Sequence, residues 1–448
     1  MFALTRMAGA APYGDRALWR IAAPMILSSV TTPLLGLVDT AVVGHLDEPR
    51  YLGAVATGST LFTVLFMGLN FLRMGTTGVT AQAFGAGRGD ATRQALGQAL
   101  AMAALLALAM IVLQAWIVGF GLAVLGPGPE VAGLARQYFA VRIWSAPASL
   151  ANFVIVGWLL GMQNARGPLA LTLATNLVNV ALSVLFVTGL GLQVRGVALA
   201  TLLAELAGLA VGAMYVRQEL ARCPGRWQPA WLADIASYRR LAGINANLLL
   251  RTLSLMFVFA FITARGARAG EVILAANAVL LNFQYFTSYA LDGIAHAAEA
   301  LVGRAVGAAD REGLRQVVAR GLRWSLLFAG AFTLAYGLLG GRIIDALTGI
   351  EAIRTAARDY LPWLAMLPLV SAWSFLYDGV FVGATRSREM RQVMMGAALL
   401  VFLPAWYLAQ PLGNHALWLA FTAFMAARGI GMHLWFRRLV HRDALAAG

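Results

Sequence analysis

The sequence predicts an all-α integral membrane protein with twelve transmembrane helices in two six-helix lobes related by a pseudo-twofold axis. Composition, recurring apolar runs and an internal repeat carry that expectation. Of the 448 residues 60% are hydrophobic and 12% charged, and the mean hydropathy is +0.73. Soluble proteins use about 25% charged residues, and a water-facing chain of this size has too little polar surface here to cover itself. Runs of about 20 apolar residues, the length that crosses a bilayer core, recur from end to end and leave no long soluble stretch.

Apolar runs bounded by Gly, Pro and Arg clusters predict helices near 18–44, 51–84, 93–120, 134–162, 168–189 and 195–216. After an arginine-rich connector they predict helices near 238–265, 271–303, 318–340, 358–384, 390–409 and 414–436. The expected organisation is an N-lobe over 1–218, a cytoplasmic connector over 219–237 containing Pro224 and Pro229, and a C-lobe over 238–448. The net charge of +14 comes entirely from arginine, since the 34 basic residues include no lysine. With the N-terminus inside, the inner segments hold 22 of them and the outer segments 8, while Arg73, Arg142, Arg251 and Arg428 fall within apolar runs. By the positive-inside rule both termini are expected in the cytoplasm. The first helix is expected to act as an uncleaved signal.

The halves repeat. Gly85-Ala86, a six-residue gap and Arg93-Gln94 recur as Gly307-Ala308, the same gap and Arg315-Gln316, 222 residues later. Tyr138, Phe153, Gly157, Gly161 and Arg166 fall on Tyr360, Phe375, Gly379, Gly383 and Arg388 at the same offset. The repeat relates helices of the same direction, so its axis runs along the membrane normal. Transporters built this way bind substrate between halves near mid-membrane.

Ionisable residues inside such helices cost about 2.5–3.5 kcal/mol at the bilayer centre and mark functional sites by default. Asp39 stands alone in the first helix, which suits it to taking and releasing a proton. The structural alternative is a buried pairing with Arg, or capping of a helix that Pro24 and Pro33 disturb. On the fifth helix Asn179 and Ser183 share a face, with Asn176 one turn earlier, and Thr201 on the sixth adds a neutral oxygen. These four either ligate a cation or hold water beside Asp39, or simply bond helix to helix. On the eighth helix Asp292, His296 and Glu299 lie on one face, with Arg251 and Asp378 as candidate partners from the seventh and tenth. That cluster reads as a proton path or as structural pairing. Glu205 reads as a helix–helix contact, and Trp144, Trp158, Trp363 and Trp418 read as markers of the lipid–water interface.

Several functions are excluded. Arginines spread over short loops do not make a nucleic-acid face. The single cysteine, Cys223, forms no internal disulfide, and no Cys/His spacing marks a metal site. Without lysine there is no phosphate-binding GxxxxGK[ST] loop, and no paired catalytic acids, nucleophile triad or HExxH pattern marks an enzyme. No cofactor is expected beyond a coupling ion, a proton or Na⁺.

The segment Leu37-Val38-Asp39-Thr40-Ala41-Val42-Val43-Gly44-His45-Leu46 resembles the signature of multidrug and toxic compound extrusion (MATE) transporters. Phe71 to Gly85 (FLRMGTTGVTAQAFG), Ala290-Leu291-Asp292-Gly293, Glu299-Ala300 and Leu376 to Arg386 (LYDGVFVGATR) are similar to the DinF-like branch. The resemblance spans nearly the whole chain. It implies a monomeric secondary antiporter in the bacterial inner membrane that exports cationic or amphipathic xenobiotics in exchange for protons or sodium by alternating access. It also implies an N-lobe cation site at Asp39, Asn179, Ser183 and Thr201. Some relatives carry an acid where this chain has Ser183, and its loss favours protons over sodium, which would otherwise bind at Asp39. The rival within the same superfamily is a lipid-linked oligosaccharide flippase, which would line its cavity with several cations. Here only Arg73, Arg142, Arg251 and Arg428 are available for that role.

Overall fold

In the computed structural model the described residues are 13–44 and 48–441, without the side chains of 32–41, Pro229 and Leu232. The first half comprises α1 (Asp15–Gly44), α2 (Pro49–Gly85), α3 (Gly89–Val112), α4 (Pro129–Gly161), α5 (Arg166–Gly189) and α6 (Gln193–Arg222). The second comprises α7 (Ile235–Arg268), α8 (Glu271–Gly307), α9 (Arg311–Leu347), α10 (Glu351–Gly383), α11 (Ser387–Leu408) and α12 (His415–His441). Ten of these are long and apolar enough to cross a membrane. Helices α1 and α8 bring the described set to twelve. Leu105, Trp116, Phe120, Leu338, Leu400 and Leu408 stand exposed on helix surfaces, as lipid contact requires and water does not tolerate in such numbers.

Three expectations need correction. The run near 93–120 is not one helix: α3 stops at Val112, and a short helix, Gln114–Leu125, follows after Leu113 at φ −88°, ψ 5°. Hydropathy is continuous across that joint and cannot register it. Helices α9 and α10 begin seven residues before their apolar runs, because amphipathic turns such as Arg311-Glu312 propagate the backbone ladder beyond the hydrocarbon. Trp158 and Trp418 do not mark an interface. Both are buried, with Trp158 Nε1 donating to the Thr92 carbonyl at 2.8 Å and Trp418 Nε1 to Asn277 Oδ1 at 3.1 Å.

The repeat is written into the backbone. The turns after α2, α4, α8 and α10 place Gly87, Gln163, Ala309 and Thr385 at φ +68°, +62°, +54° and +54°. Residues 87 and 309, like 163 and 385, are 222 apart. Left-handed conformation disfavours side chains, but each helix ends in the same terminating pattern. Arg88 N bonds Ala83 O at 3.0 Å, Asn164 N bonds Leu159 O at 2.9 Å, Asp310 N bonds Ala305 O at 2.8 Å, and Arg386 N bonds Phe381 O at 2.9 Å. Helix packing repeats too. A β-carbon on Gly157 would sit 2.3 Å from the Arg73 carbonyl oxygen, and one on Gly379 would sit 2.1 Å from that of Ala295. Glycine lets α4 lie backbone-to-backbone on α2, and α10 on α8, which is how helices without a hydrophobic drive between them gain contact.

The described residues form two compact units, one of 27–44 and 48–239 and the other of 13–26 with 240–441. The first part of α1 therefore belongs with the second unit and the rest with the first. In the second unit the core is aromatic, with Phe283, Tyr336, Phe402, Phe421 and Phe424 buried against one another. Pro362 and Pro368 lie inside α10. The helix widens over Leu185–Gly189, where α5 ends, and over Ala397–Phe402 within α11.

Each unit's third helix holds the strand of chain leading into α7 or α1. In the first unit Gln98 Nε2 donates to the Trp231 carbonyl at 2.9 Å and Gln94 Nε2 to Ser237 Oγ at 3.3 Å. Arg93 Nη2 caps the end of α6 at the Leu220 and Cys223 carbonyls, at 2.7 and 2.8 Å. In the second unit Arg320 Nη1 donates to the Tyr13 carbonyl, and Trp324 Nε1 to Asp15 Oδ1 at 2.9 Å. Gln98 and Arg320 are again 222 residues apart.

Candidate coupling-ion site

In the first unit the spacing of α5 brings its amides and hydroxyl to α6. Asn179, Ser183 and Thr201 are all buried. Asn179 Nδ2 donates to Thr201 Oγ1 at 3.0 Å, and Ser183 Oγ reaches Asn179 Oδ1 at 3.5 Å. Thr201 in turn donates to the Val197 carbonyl at 3.0 Å, so its lone pairs are what it offers to Asn179. Asn176 is not in this triad. Its Nδ2 donates to the Thr31 carbonyl of α1 at 3.1 Å, one turn from a Ser28 Oγ to Thr172 Oγ1 bond of 2.9 Å.

Those two ties fix a register. Ser28 and Thr31 advance along α1 as Thr172 and Asn176 advance along α5, so the two helices run parallel. At 1.5 Å per residue, Asp39 lies about 12 Å beyond Thr31, and Ser183 about 10.5 Å beyond Asn176. The backbone of Asp39 therefore stands near the level of Ser183. The Asp39 side chain itself lies outside the described residues.

The second unit gathers the other polar candidates into two groups. Asp378 Oδ2 accepts from Arg251 Nη2 and from Arg428 Nη2, the latter at 2.8 Å, so one carboxylate oxygen holds guanidinium groups from α7 and α12. Arg428 is 2% exposed, lies over the Phe424 ring and feels the charge of Asp292 as well. On α8, His296 Nδ1 lies 3.4 Å from Glu299 Oε2. Arg251 thus joins Asp378, rather than the His296–Glu299 pair on the α8 face. Sequence reading placed Arg428 inside an apolar run without giving it a partner. Its charge in that run was the signal, and the partner followed only from packing of α12 on α10.

Burial of unlike groups in one place restricts what each can do. The α5–α6 triad offers neutral oxygens and amide hydrogens, and can solvate a cation or a protonated acid without supplying charge. The Asp378 group already balances its carboxylate with two cations, and a third cation there would meet repulsion.

The MatE family model matches the chain twice, over residues 24–185 and 247–408, two equal stretches that begin 223 residues apart. DNA damage-inducible protein F of Escherichia coli K12 is 46% identical over 95% of this chain and 92% of its own length. A probable multidrug resistance protein NorM of Rhizobium meliloti is 25% identical over 97% of this chain and 96% of its own. Among solved structures, a MATE protein in its bent conformation superposes with a TM-score of 0.87 at 19% identity, covering 97% of this chain and 98% of that one. The Vibrio cholerae MATE transporter VcmN in the bent form gives 0.85 at 21% identity, with 96% and 98% covered; at these identities the likeness is one of fold. With the family model matched in both halves and the E. coli protein aligned nearly end to end, the chain belongs to the MATE family of membrane transporters, in its DinF-like branch.

Proposed function

We propose that the chain is a monomeric, proton-coupled efflux antiporter of the inner membrane, with both termini cytoplasmic. It exports cationic or amphipathic compounds and uses Asp39 as the coupling carboxyl group. The observation that supports protons over sodium is the neutrality of the Asn179–Ser183–Thr201 triad. A sodium ion stripped of water needs charge as well as oxygens, whereas a lone acid beside hydrogen-bonding amides exchanges one proton. Protonation of Asp39 from outside would favour the substrate-releasing state, and substrate from the cytoplasm would favour deprotonation inwards. Coupling requires the two ligands to prefer different states, since a ligand of equal affinity for both shifts nothing. The flippase reading is weakened by Arg251 and Arg428, which both engage Asp378 and leave fewer free guanidinium groups for a pyrophosphate.

The test is efflux of a cationic dye from proteoliposomes under separately imposed proton and sodium gradients. We expect proton-driven efflux by the wild type and background rates for Asp39→Asn. Sodium-driven efflux by the wild type would overturn proton coupling, and equal rates for both proteins would remove Asp39 from the mechanism.

A further inference from the structure

A second acid lies half-buried in the first unit. Glu205 sits midway along α6, and Asn152 Nδ2 of α4 donates both to its Oε2 at 2.8 Å and to its main-chain carbonyl at 3.0 Å. Among the described residues Glu205 forms no ion pair; the charge that acts on it is that of Arg142. Arg142 is turned elsewhere, donating to Tyr138 Oη and lying over the Phe62 ring at 4.7 Å. Tyr138 Oη reaches Ser59 Oγ of α2 at 3.0 Å.

Around this acid, polar atoms lie buried without partners. Arg142, Ser145, Ser149 and Asn152 follow one another at spacings of three or four residues, so they line one face of α4. Arg142 Nε, Ser145 Oγ and Asn152 Oδ1 are buried with no hydrogen-bond partner, and Ser149 Oγ, likewise buried, has only the Glu205 carboxyl group to turn to. Thr175 Oγ1 of α5 is also buried with no partner. It packs tightly on Gly208, one turn from Glu205, where a β-carbon would come within 2.2 Å of it and 3.3 Å of Asn152 Nδ2. Leaving such groups unpaired inside a protein is unfavourable. A stripe of them suits water: a buried water takes two to four polar partners, and here Arg142 Nε donates, Asn152 Oδ1 accepts and the two serine hydroxyls do both. A hydroxyl both accepts and donates, so hydrated serines pass protons along the stripe.

We infer that Glu205 is a second proton-binding carboxyl group of the first unit, served by a hydrated stripe of Arg142, Ser145, Ser149 and Asn152 on α4. This rests on the proton-coupled reading and adds a carrier to it. The proton moves between a water oxygen and a Glu205 carboxyl oxygen, with only O–H bonds made and broken. Among the described side chains, the charged and titratable groups facing Glu205 are Arg142 and, behind it, Tyr138, both from α4. Helix α5 presents the neutral Thr175, and α2 the neutral Ser59.

Infrared titration of the reconstituted protein tests this without requiring transport. The carboxyl C=O band is read as pH is stepped, for wild type, Glu205→Gln, Glu205→Asp, Ser149→Ala and Asp39→Asn. A titrating band that Glu205→Gln removes, Glu205→Asp moves and Asp39→Asn leaves in place is the expected result. A titration identical in wild type and folded Glu205→Gln would overturn the inference. Should Glu205→Gln fail to fold, Ser149→Ala decides: a shifted midpoint supports the stripe, and an unchanged one overturns it. Dye efflux run in parallel separates the two readings, because wild-type efflux indifferent to a proton gradient defeats proton coupling whatever the band does.

Discussion

At Asp378 one carboxylate oxygen faces two guanidinium groups while the other oxygen, Oδ1, is buried without a hydrogen bond. Such a group is held by charge rather than by saturation of its hydrogen bonds, so its removal is felt more than its presence. Asp378→Asn would leave Arg251 and Arg428 facing each other with their main counter-charge gone. Breaking a buried ion pair from one side costs about 3–5 kcal/mol, whereas replacing all partners by apolar groups of similar volume is often neutral. Thermal unfolding in detergent should therefore drop sharply for Asp378→Asn and recover in the triple variant Asp378→Leu, Arg251→Met, Arg428→Met. Equal melting of the single variant and wild type would show that the three charges are not coupled. Sequence spacing gave the α8 candidates, because residues on one helix face can be counted off at 3.6 per turn. It could not give Arg428 to Asp378 or Asn152 to Glu205, since those pairings depend on how separate helices turn toward one another.

Helices in this protein approach each other through missing side chains. Gly379 admits the Ala295 carbonyl to van der Waals range, and Gly157 admits that of Arg73. The obstructing atoms are backbone and cannot swing aside, so Gly379→Ala must push α10 off α8. Overpacking of this kind costs about 1–3 kcal/mol and should appear as a lowered unfolding temperature. Gly330 on α9 meets nothing within 4 Å, and Gly330→Ala should be neutral or stabilising by up to about 1 kcal/mol through helix propensity. If both variants melted alike, close approach would not be what holds α8 to α10. The repeated glycines were legible as motif because their offset is constant. Their physical reason appears only once the opposing carbonyls are seen. The break after Val112 was not legible at all, for a helix that stops between two apolar residues leaves hydropathy unchanged.

Across the whole molecule the same offset that relates the motifs relates the straps entering α7 and α1. Gln98 and Arg320 occupy equivalent positions and do equivalent work, each donating a side-chain hydrogen bond to a carbonyl of the incoming chain. They share no side-chain chemistry beyond the N–H, which is why comparing the two halves residue by residue passes over them. Because each strap is held within a single unit, loosening one should leave the other untouched. Gln98→Ala removes a bond worth about 1 kcal/mol and should speed amide exchange roughly fivefold in the segment preceding α7, around Trp231 to Ser237. Arg320→Ala should do the same at the start of α1, around Tyr13 to Leu18, where Ala17 N and Leu18 N bond the Gly14 carbonyl at 3.0 and 3.1 Å. Hydrogen exchange followed by peptide mass analysis reads both segments in one experiment. Exchange rising in both segments for either variant would mean that the straps open together, as one cooperative element, and that the two units do not secure them independently.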